Sequence, residues 1–131
     1  MLGLVLLRLV LGLIFLTHGY LKLFSRGFGP QRFAAYLRHE GVPFPVVTGY
    51  AIGVLEFIAG LFIMVGVGVP ICATLLALHV FVALVTVGSK KGFTRLPHNA
   101  GFEYELVLLA GLIALIFTGP TGYSLGGAIF R

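Results

Sequence analysis

The chain has 131 residues and a net charge of +5, and 59% of its residues are hydrophobic while only 10% are charged. This composition, with a mean hydropathy of +1.09, excludes a soluble domain and indicates an integral membrane protein. The basic residues are spread over the connections between apolar runs, which indicates a lipid bilayer rather than nucleic acid as the partner, and the single cysteine excludes an intramolecular disulfide.

The length accommodates about four spans of roughly 20 residues and leaves no room for a separate soluble domain. We therefore predict one all-α membrane domain over residues 1–131, a four-transmembrane-helix bundle. The first span is predicted at residues 2–24, because this run exceeds the core of a signal peptide and has no small-residue cleavage site.

The remaining elements follow from apolar runs separated by glycine and proline. Pro30 marks a helix start in the first connection, and apolar and charged residues then alternate at helical spacing, which predicts a short amphipathic helix on the membrane surface. Further spans are predicted at 46–67, 69–89 and 101–118, and the tight turn at 66–70 makes the second and third spans an antiparallel hairpin.

Lysine and arginine set the predicted orientation. They flank the first and third connections, whereas the other side has only Arg131. The positive-inside rule then places both long connections in the cytoplasm and both termini outside it. The expected location is a bacterial inner membrane.

Glu56 is the main candidate functional residue, because an ionisable group near the middle of a membrane span is costly and is a functional hypothesis by default. At 1.5 Å per residue, Glu56 and His79 are predicted to lie close to the midplane of the bilayer, and Arg8 roughly 7 Å outward of it. We expect the long side chain of Arg8 to reach Glu56. A second layer of polar side chains is expected nearer the cytoplasm. The predicted polar core is Arg8, His18, Lys22, Glu56, His79 and Glu105.

Two interpretations of this core stay open. An Arg8–Glu56 pair could be a buried ion pair that only fixes helix register, or it could polarise a bound ligand or relay a proton. Haem is disfavoured, because His18 and His79 differ in predicted depth by about 7 Å. No Cys/His or carboxylate spacing indicates a metal site, so none is predicted.

Several segments carry a family resemblance. The first span, Leu6-Leu-Arg-Leu-Val-Leu-Gly12 followed by His18-Gly-Tyr-Leu-Lys22, resembles the opening of the DoxX family of four-helix membrane proteins. Gly41-Val-Pro-Phe-Pro45, Gly53-Val-Leu-Glu56-Phe-Ile-Ala-Gly60 and Gly101-Phe-Glu-Tyr-Glu105 continue the match in the family's order over nearly the whole chain.

The resemblance implies a redox or oxidant-defence context. Relatives of this type include a subunit associated with thiosulfate:quinone oxidoreduction, a membrane partner of a superoxide dismutase and a sulfurtransferase, and distant eukaryotic cargo receptors. The resemblance also implies that the family's polar core corresponds here to Arg8, Lys22, Glu56 and Glu105. It does not by itself assign these residues catalytic roles.

Two functions follow as hypotheses. In the first, the protein is an accessory subunit of a quinone-linked oxidoreductase, and its cavity holds a quinone or another small apolar ligand. Arg8 or His79 hydrogen-bonds the ligand's carbonyl group, and Glu56 relays protons. A partner enzyme supplies the electrons. In the second, it is a non-catalytic scaffold that recruits a soluble partner enzyme through its basic cytoplasmic connections. A small-residue stripe at 111–115 also allows a homo-oligomer.

Overall fold

The computed structural model describes residues 2–25, 29–86, 88–90, 92–96 and 99–118. This part of the chain is predominantly helical, as predicted, with one antiparallel pair of two-residue strands that the sequence did not indicate. The elements are α1 (Leu2–Phe24), α2 (Pro30–His39), α3 (Pro45–Val65), α4 (Val69–Thr86), a 3-10 turn (Gly88–Lys90), β1 (Arg95–Leu96), β2 (Asn99–Ala100) and α5 (Glu103–Thr118).

In the described part of the chain, three helices, α1, α3 and α4, are long and apolar enough by length and composition to cross a membrane. The fourth predicted span coincides with α5, which has 16 residues in the described structure, so the four-span count stays a prediction. The third predicted span, 69–89, begins at the same residue as α4 but is too long, because α4 ends at Thr86 and a 3-10 turn begins at Gly88.

Many large apolar side chains on these helices point away from the rest of the protein. Leu6 and Leu13 on α1, Ile71 and Leu78 on α4, and Val107 on α5 are all exposed. Such outward apolar faces are costly in water and favourable in lipid, where the solvent is itself apolar. The structure thus supports the class of protein that the composition indicated.

Glycines bring α1 and α3 into the most extensive helix contact of the described structure. A Cβ atom added to Gly60 would lie 2.5 Å from the backbone nitrogen of Leu16 and 2.9 Å from the carbonyl oxygen of Gly12. A Cβ atom added to Gly19 would lie 2.7 Å from the carbonyl oxygen of Gly53. The absence of side chains lets the two backbones touch, and it fixes an antiparallel register in which Gly12 lies beside Gly60 and Gly19 beside Gly53.

The other helix pairs define the order of the bundle. Both α1 and α4 contact α3, and both also contact α5, so α3 and α5 lie across the bundle from each other. The centre is filled by apolar side chains, and the largest of those that are fully buried are Ile63, Val69, Leu76, Leu112 and Leu115.

Two short connections fix the ends of α3. At its C-terminus Gly66 and Gly68 adopt left-handed conformations, with φ of 81° and 58°, and the amides of Gly66 and Val67 bond the carbonyl of Phe62. The predicted α3–α4 hairpin follows from this turn. At the N-terminus, Pro45 occupies the first helical turn, where its missing N–H costs nothing.

The first connection contains α2, which begins at Pro30 and packs on α3. Its buried residues are Phe33, Ala34 and Leu37, whereas Arg32 and Arg38 lie on its exposed side. A helix therefore occupies the segment in which the sequence predicts one, and its place on a membrane surface stays a prediction.

Candidate ligand-binding site

Glu56 is the centre of the polar site, and side chains from two other helices converge on it. Its Oε1 atom accepts a hydrogen bond from Lys22 Nζ of α1 at 2.7 Å. The same atom lies 2.9 Å from His79 Nε2 of α4, and an Nε2–H tautomer donates to it. Glu56 is 3% exposed, so a buried carboxylate here has one cation and one imidazole against the same oxygen.

The glycine register explains why Lys22 reaches Glu56. Because Gly19 lies beside Gly53 on the antiparallel helix, Glu56 is about level with residues just before Gly19. Cβ atoms tilt toward the N-terminus of their helix, so the long side chain of Lys22 extends back toward that level. The ion pair is thus a consequence of close helix packing and side-chain direction.

The predicted contact between Arg8 and Glu56 is wrong. With Gly12 beside Gly60, Arg8 is about level with the last turn of α3, which is roughly 12 Å or more from Glu56 along the helix axis. The tilt of the side chain toward the N-terminus increases this separation. The depth of each residue was predicted within its own span, and the error in the depth of Arg8 relative to Glu56 becomes visible only from the register between α1 and α3. Arg8 is nevertheless buried, with 3% of its surface exposed.

Lys22 is also covered from the side of α2. Its Nζ atom lies 4.6 Å from the centroid of the Phe33 ring, the geometry of a cation–π interaction. The ammonium therefore has a carboxylate on one side and an aromatic face on the other, and 14% of the side chain is exposed. The sequence analysis did not select Phe33 as a site residue, although its helical spacing with Leu37 places both on the apolar face of α2.

A cavity of about 510 Å³ adjoins this ion pair. Its walls are mainly apolar and include Ile14, Phe15, Ile52, Val80 and Leu108. Polar side chains from α1, α3, α4 and α5 also lie in its wall, and they include Lys22, His18, Glu56, His79, Tyr104 and Glu105. Some lining residues, such as His18 and Thr86, are exposed, so the cavity reaches the protein surface.

The α1 and α5 walls of the cavity hold a second polar group. The His18 ring stacks on Tyr104 with centroids 6.2 Å apart and an interplanar angle of 24°. Glu105 follows Tyr104 on α5, and its Oε2 atom is buried. Tyr104 was missed by the sequence analysis, since a tyrosine near a helix start is also typical of a membrane interface.

The structure therefore brings five of the six predicted polar-core residues to one cavity and leaves Arg8 outside its lining. Lys22, Glu56 and His79 are in direct contact, whereas His18 and Glu105 lie in the wall. Among the described residues, no group of three or more His, Cys, Asp or Glu could hold a metal ion.

Apolar helices around a buried ion pair define a helical membrane protein with an internal polar site. The chain belongs to the DoxX family, whose sequence profile matches residues 3–89. It is 31% identical over 129 residues to "Putative oxidoreductase CatD" of Bacillus subtilis (strain 168), covering 98% of this chain and 88% of that protein.

A second relative comes from Mycobacterium tuberculosis (strain ATCC 25618 / H37Rv). It is named "Uncharacterized membrane protein Rv3486", and it is 30% identical over 132 residues, covering 91% of this chain and 76% of that protein. No solved structure is significantly similar to the chain.

Proposed function

We propose that the protein is an accessory membrane subunit of redox metabolism that binds a small, largely apolar ligand, such as a quinone, in the cavity beside Glu56. The single observation that carries this proposal is the combination of a cavity of about 510 Å³ with mainly apolar walls and a few convergent polar groups. Small-molecule sites typically have volumes of roughly 300–1,000 Å³ and this same mixture of walls. The name of the Bacillus relative, "Putative oxidoreductase CatD", supports the redox context.

The polar groups are suited to orient a ligand and to move a proton. An ammonium has several N–H donors, so Lys22 can keep its bond to Glu56 and also bond a ligand oxygen. Glu56 and His79 lie 2.9 Å apart, which is within the range for proton transfer between a carboxyl group and an imidazole. In this proposal the chain binds the ligand and relays protons, and a partner redox enzyme supplies or removes the electrons.

The proposed setting is a bacterial inner membrane that α1, α3, α4 and α5 all cross, with both termini outside the cytoplasm. This orientation places α2, with Arg32 and Arg38 exposed, at the cytoplasmic surface. The cavity, which α2 covers in part through Phe33 and Tyr36, would then open near that surface.

The proposal is tested by mass spectrometry of small molecules extracted from gently purified protein. Wild type is compared with Glu56→Gln and with Glu103→Gln, a matched change at a carboxylate outside the cavity lining. We expect a stoichiometric quinone in wild type and in Glu103→Gln, and its loss from a folded Glu56→Gln protein. Bulk lipid alone in all three samples would contradict the proposal.

The alternative, a scaffold that recruits a soluble enzyme, rests on a different observation. The exposed face of α2 and the 3-10 turn present basic side chains, including Arg32, Arg38 and Lys90. Replacing Lys22 and Glu56 together by apolar residues of similar size separates the two functions. A retained cellular phenotype favours the scaffold, whereas a folded but inactive protein favours the ligand site.

A further inference from the structure

Helices α3 and α4 touch where Glu56 meets His79, and they face each other on both sides of this contact. The helices are antiparallel, so the first part of α3 and the last part of α4 extend from the contact in the same direction, toward α2. Residues three, four, seven or eight positions from the contact lie on the same helix face. The two facing stripes are Thr48 and Ile52 on α3 and Val82, Ala83 and Thr86 on α4, and all five residues line the cavity.

The two helices pack closely on one side of this contact and separate on the other. Toward the turn that joins them, Ile63 on α3 and Leu76 on α4 are fully buried. Toward α2, by contrast, Val82 is 56% exposed, Thr86 is exposed and Ile52 is half-buried. Side chains between two helices in direct contact are covered by both of them. The two stripes are therefore separated by a gap, the α3–α4 gap, which leads from the cavity to the surface.

The base of the α3–α4 gap is covered, and its side is open. Helix α2 packs on the start of α3, where a Cβ atom added to Gly49 would contact Leu37 and Phe33. At the end of α2, Glu40 Oε2 lies 4.0 Å from Lys90 Nζ of the 3-10 turn that follows α4, so α2 reaches from one helix to the other. In the ring of described helices, α1 lies beyond α3 and α5 lies beyond α4, and neither covers the outer side of the gap. The gap therefore opens sideways, toward lipid.

The rim of the gap is apolar, whereas its inner end is polar. Ile52, Val82 and Ala83 form the rim, and Glu56, with Lys22 bound to it, lies at the inner end. Glu56 is near the middle of the 21-residue helix α3, roughly 16 Å from its start at 1.5 Å per residue. A phospholipid keeps its charged head group at the membrane surface, because a charge at this depth is costly. An uncharged polar ring on a hydrocarbon chain can reach the same depth.

We infer that the α3–α4 gap is a lateral portal and that the ligand is a membrane-resident lipid with an uncharged polar ring and a hydrocarbon chain. The ring lies beside Glu56, and the chain passes between Ile52 and Val82 into the bilayer. The inference rests on the proposed function and adds the class of the ligand and its route. A chainless ligand from the aqueous phase would instead enter from the side that α2 covers.

The test compares two probes with one head group: decylubiquinone and the same dimethoxy-methyl-benzoquinone without the decyl chain. Their binding to the full chain is measured in lipid nanodiscs, with empty nanodiscs as the correction for partition into lipid. We expect Val82→Trp to weaken binding of decylubiquinone at least about tenfold, because the indole ring fills the gap that the chain requires. The chainless probe should bind this variant within about twofold of wild type, which also shows that the site is intact.

Val85→Trp is the matched control. Val85 is on the same helix and is 53% exposed, close to the value for Val82, but it does not line the cavity. The same substitution there adds the same bulk to α4 outside the gap. It should leave the affinity for both probes unchanged, and a loss equal to that of Val82→Trp would refute the portal.

Three further results would overturn the inference, and they separate it from the proposed function. If Val82→Trp keeps the wild-type affinity for decylubiquinone, no chain passes through the gap, while the proposed quinone site stands. If Val82→Trp weakens both probes equally, position 82 contacts the ring itself, and the gap is not a route for a chain. Failure of both probes to bind the folded wild-type protein refutes the inference and the proposed function together.

Discussion

Lys22 and Glu56 are 34 positions apart in the chain, and the Lys22 ammonium donates a 2.7 Å hydrogen bond to Glu56 Oε1 across the α1–α3 interface. Their side chains are 14% and 4% exposed, so the pair is largely removed from any solvent. In such a pair each charge makes the burial of the other tolerable, and loss of one partner leaves an uncompensated charge. The ion pair therefore links the structure of the cavity wall to the packing of α1 against α3.

Lys22→Met should destabilise the protein strongly, because it removes the cation and leaves the Glu56 carboxylate buried. The expected loss in the free energy of unfolding is about 3 kcal/mol, as for other broken buried pairs. Denaturant titration of the protein in detergent micelles measures it. The double variant Lys22→Met/Glu56→Leu should recover part of the loss, since no isolated charge remains.

Lys90→Met provides the control for this experiment. Lys90 is 66% exposed and lies 4.0 Å from Glu40, so its pair is a surface pair of small value, with an expected loss within about 0.5 kcal/mol. A loss for Lys22→Met that is no greater than that for Lys90→Met would show that the buried pair does not support the fold.

The helices could be predicted from the sequence because lipid imposes a simple requirement: long apolar runs form helices that satisfy their own backbone hydrogen bonds. The predicted first span, 2–24, coincides with α1. The end of α4 at Thr86 was not predicted, since the first charged residue after it is Lys90 and the intervening residues are uncharged.

The partner of Glu56 could not be predicted, because it depends on how two helices slide past each other. A change in register of about eight residues would bring Arg8 to the level of Glu56 in place of Lys22. The register is set by backbone contacts such as that of Gly12 with Gly60. His79 was predicted to lie at a depth close to that of Glu56, and the contact between the two side chains agrees with this relative placement. The role of Phe33 required knowledge of where α2 packs.

Gly60→Ala should force α1 and α3 apart. A Cβ atom there would lie 2.5 Å from the Leu16 backbone nitrogen, and backbone atoms cannot move away as the end of a side chain can. Overpacking of this kind costs roughly 1–3 kcal/mol. Gly3→Ala is the matched control, because no atom lies within 4 Å of its added Cβ. Thermal unfolding in detergent should show a lower Tm for Gly60→Ala alone, and equal Tm values would contradict the close approach.

Labelling of single cysteines should reveal both termini on one side of the membrane. In a Cys72→Ala background, Gly3→Cys and Thr118→Cys are expected to react with an impermeant maleimide from outside intact cells, because four spans return the chain to its starting side. Lys90→Cys should react only after the cells are opened. Reaction of Gly3→Cys and Thr118→Cys from opposite sides would show that α5 does not cross the membrane.

Phe33→Ala should loosen α2, because the Phe33 ring is buried, lines the cavity and covers the Lys22 ammonium at 4.6 Å. Its removal takes away the main apolar contact of a ten-residue helix, which is too short to be stable alone. Trypsin, which cleaves after Arg32 and Arg38 only when the helix opens, should cut the variant at least about tenfold faster than wild type. Gln31→Ala, a change at an exposed position of the same helix, controls for helix propensity and should leave the rate unchanged. If both variants are cut at the wild-type rate, α2 is held in place by contacts other than Phe33, and the aromatic cover over Lys22 has no role in closing the cavity.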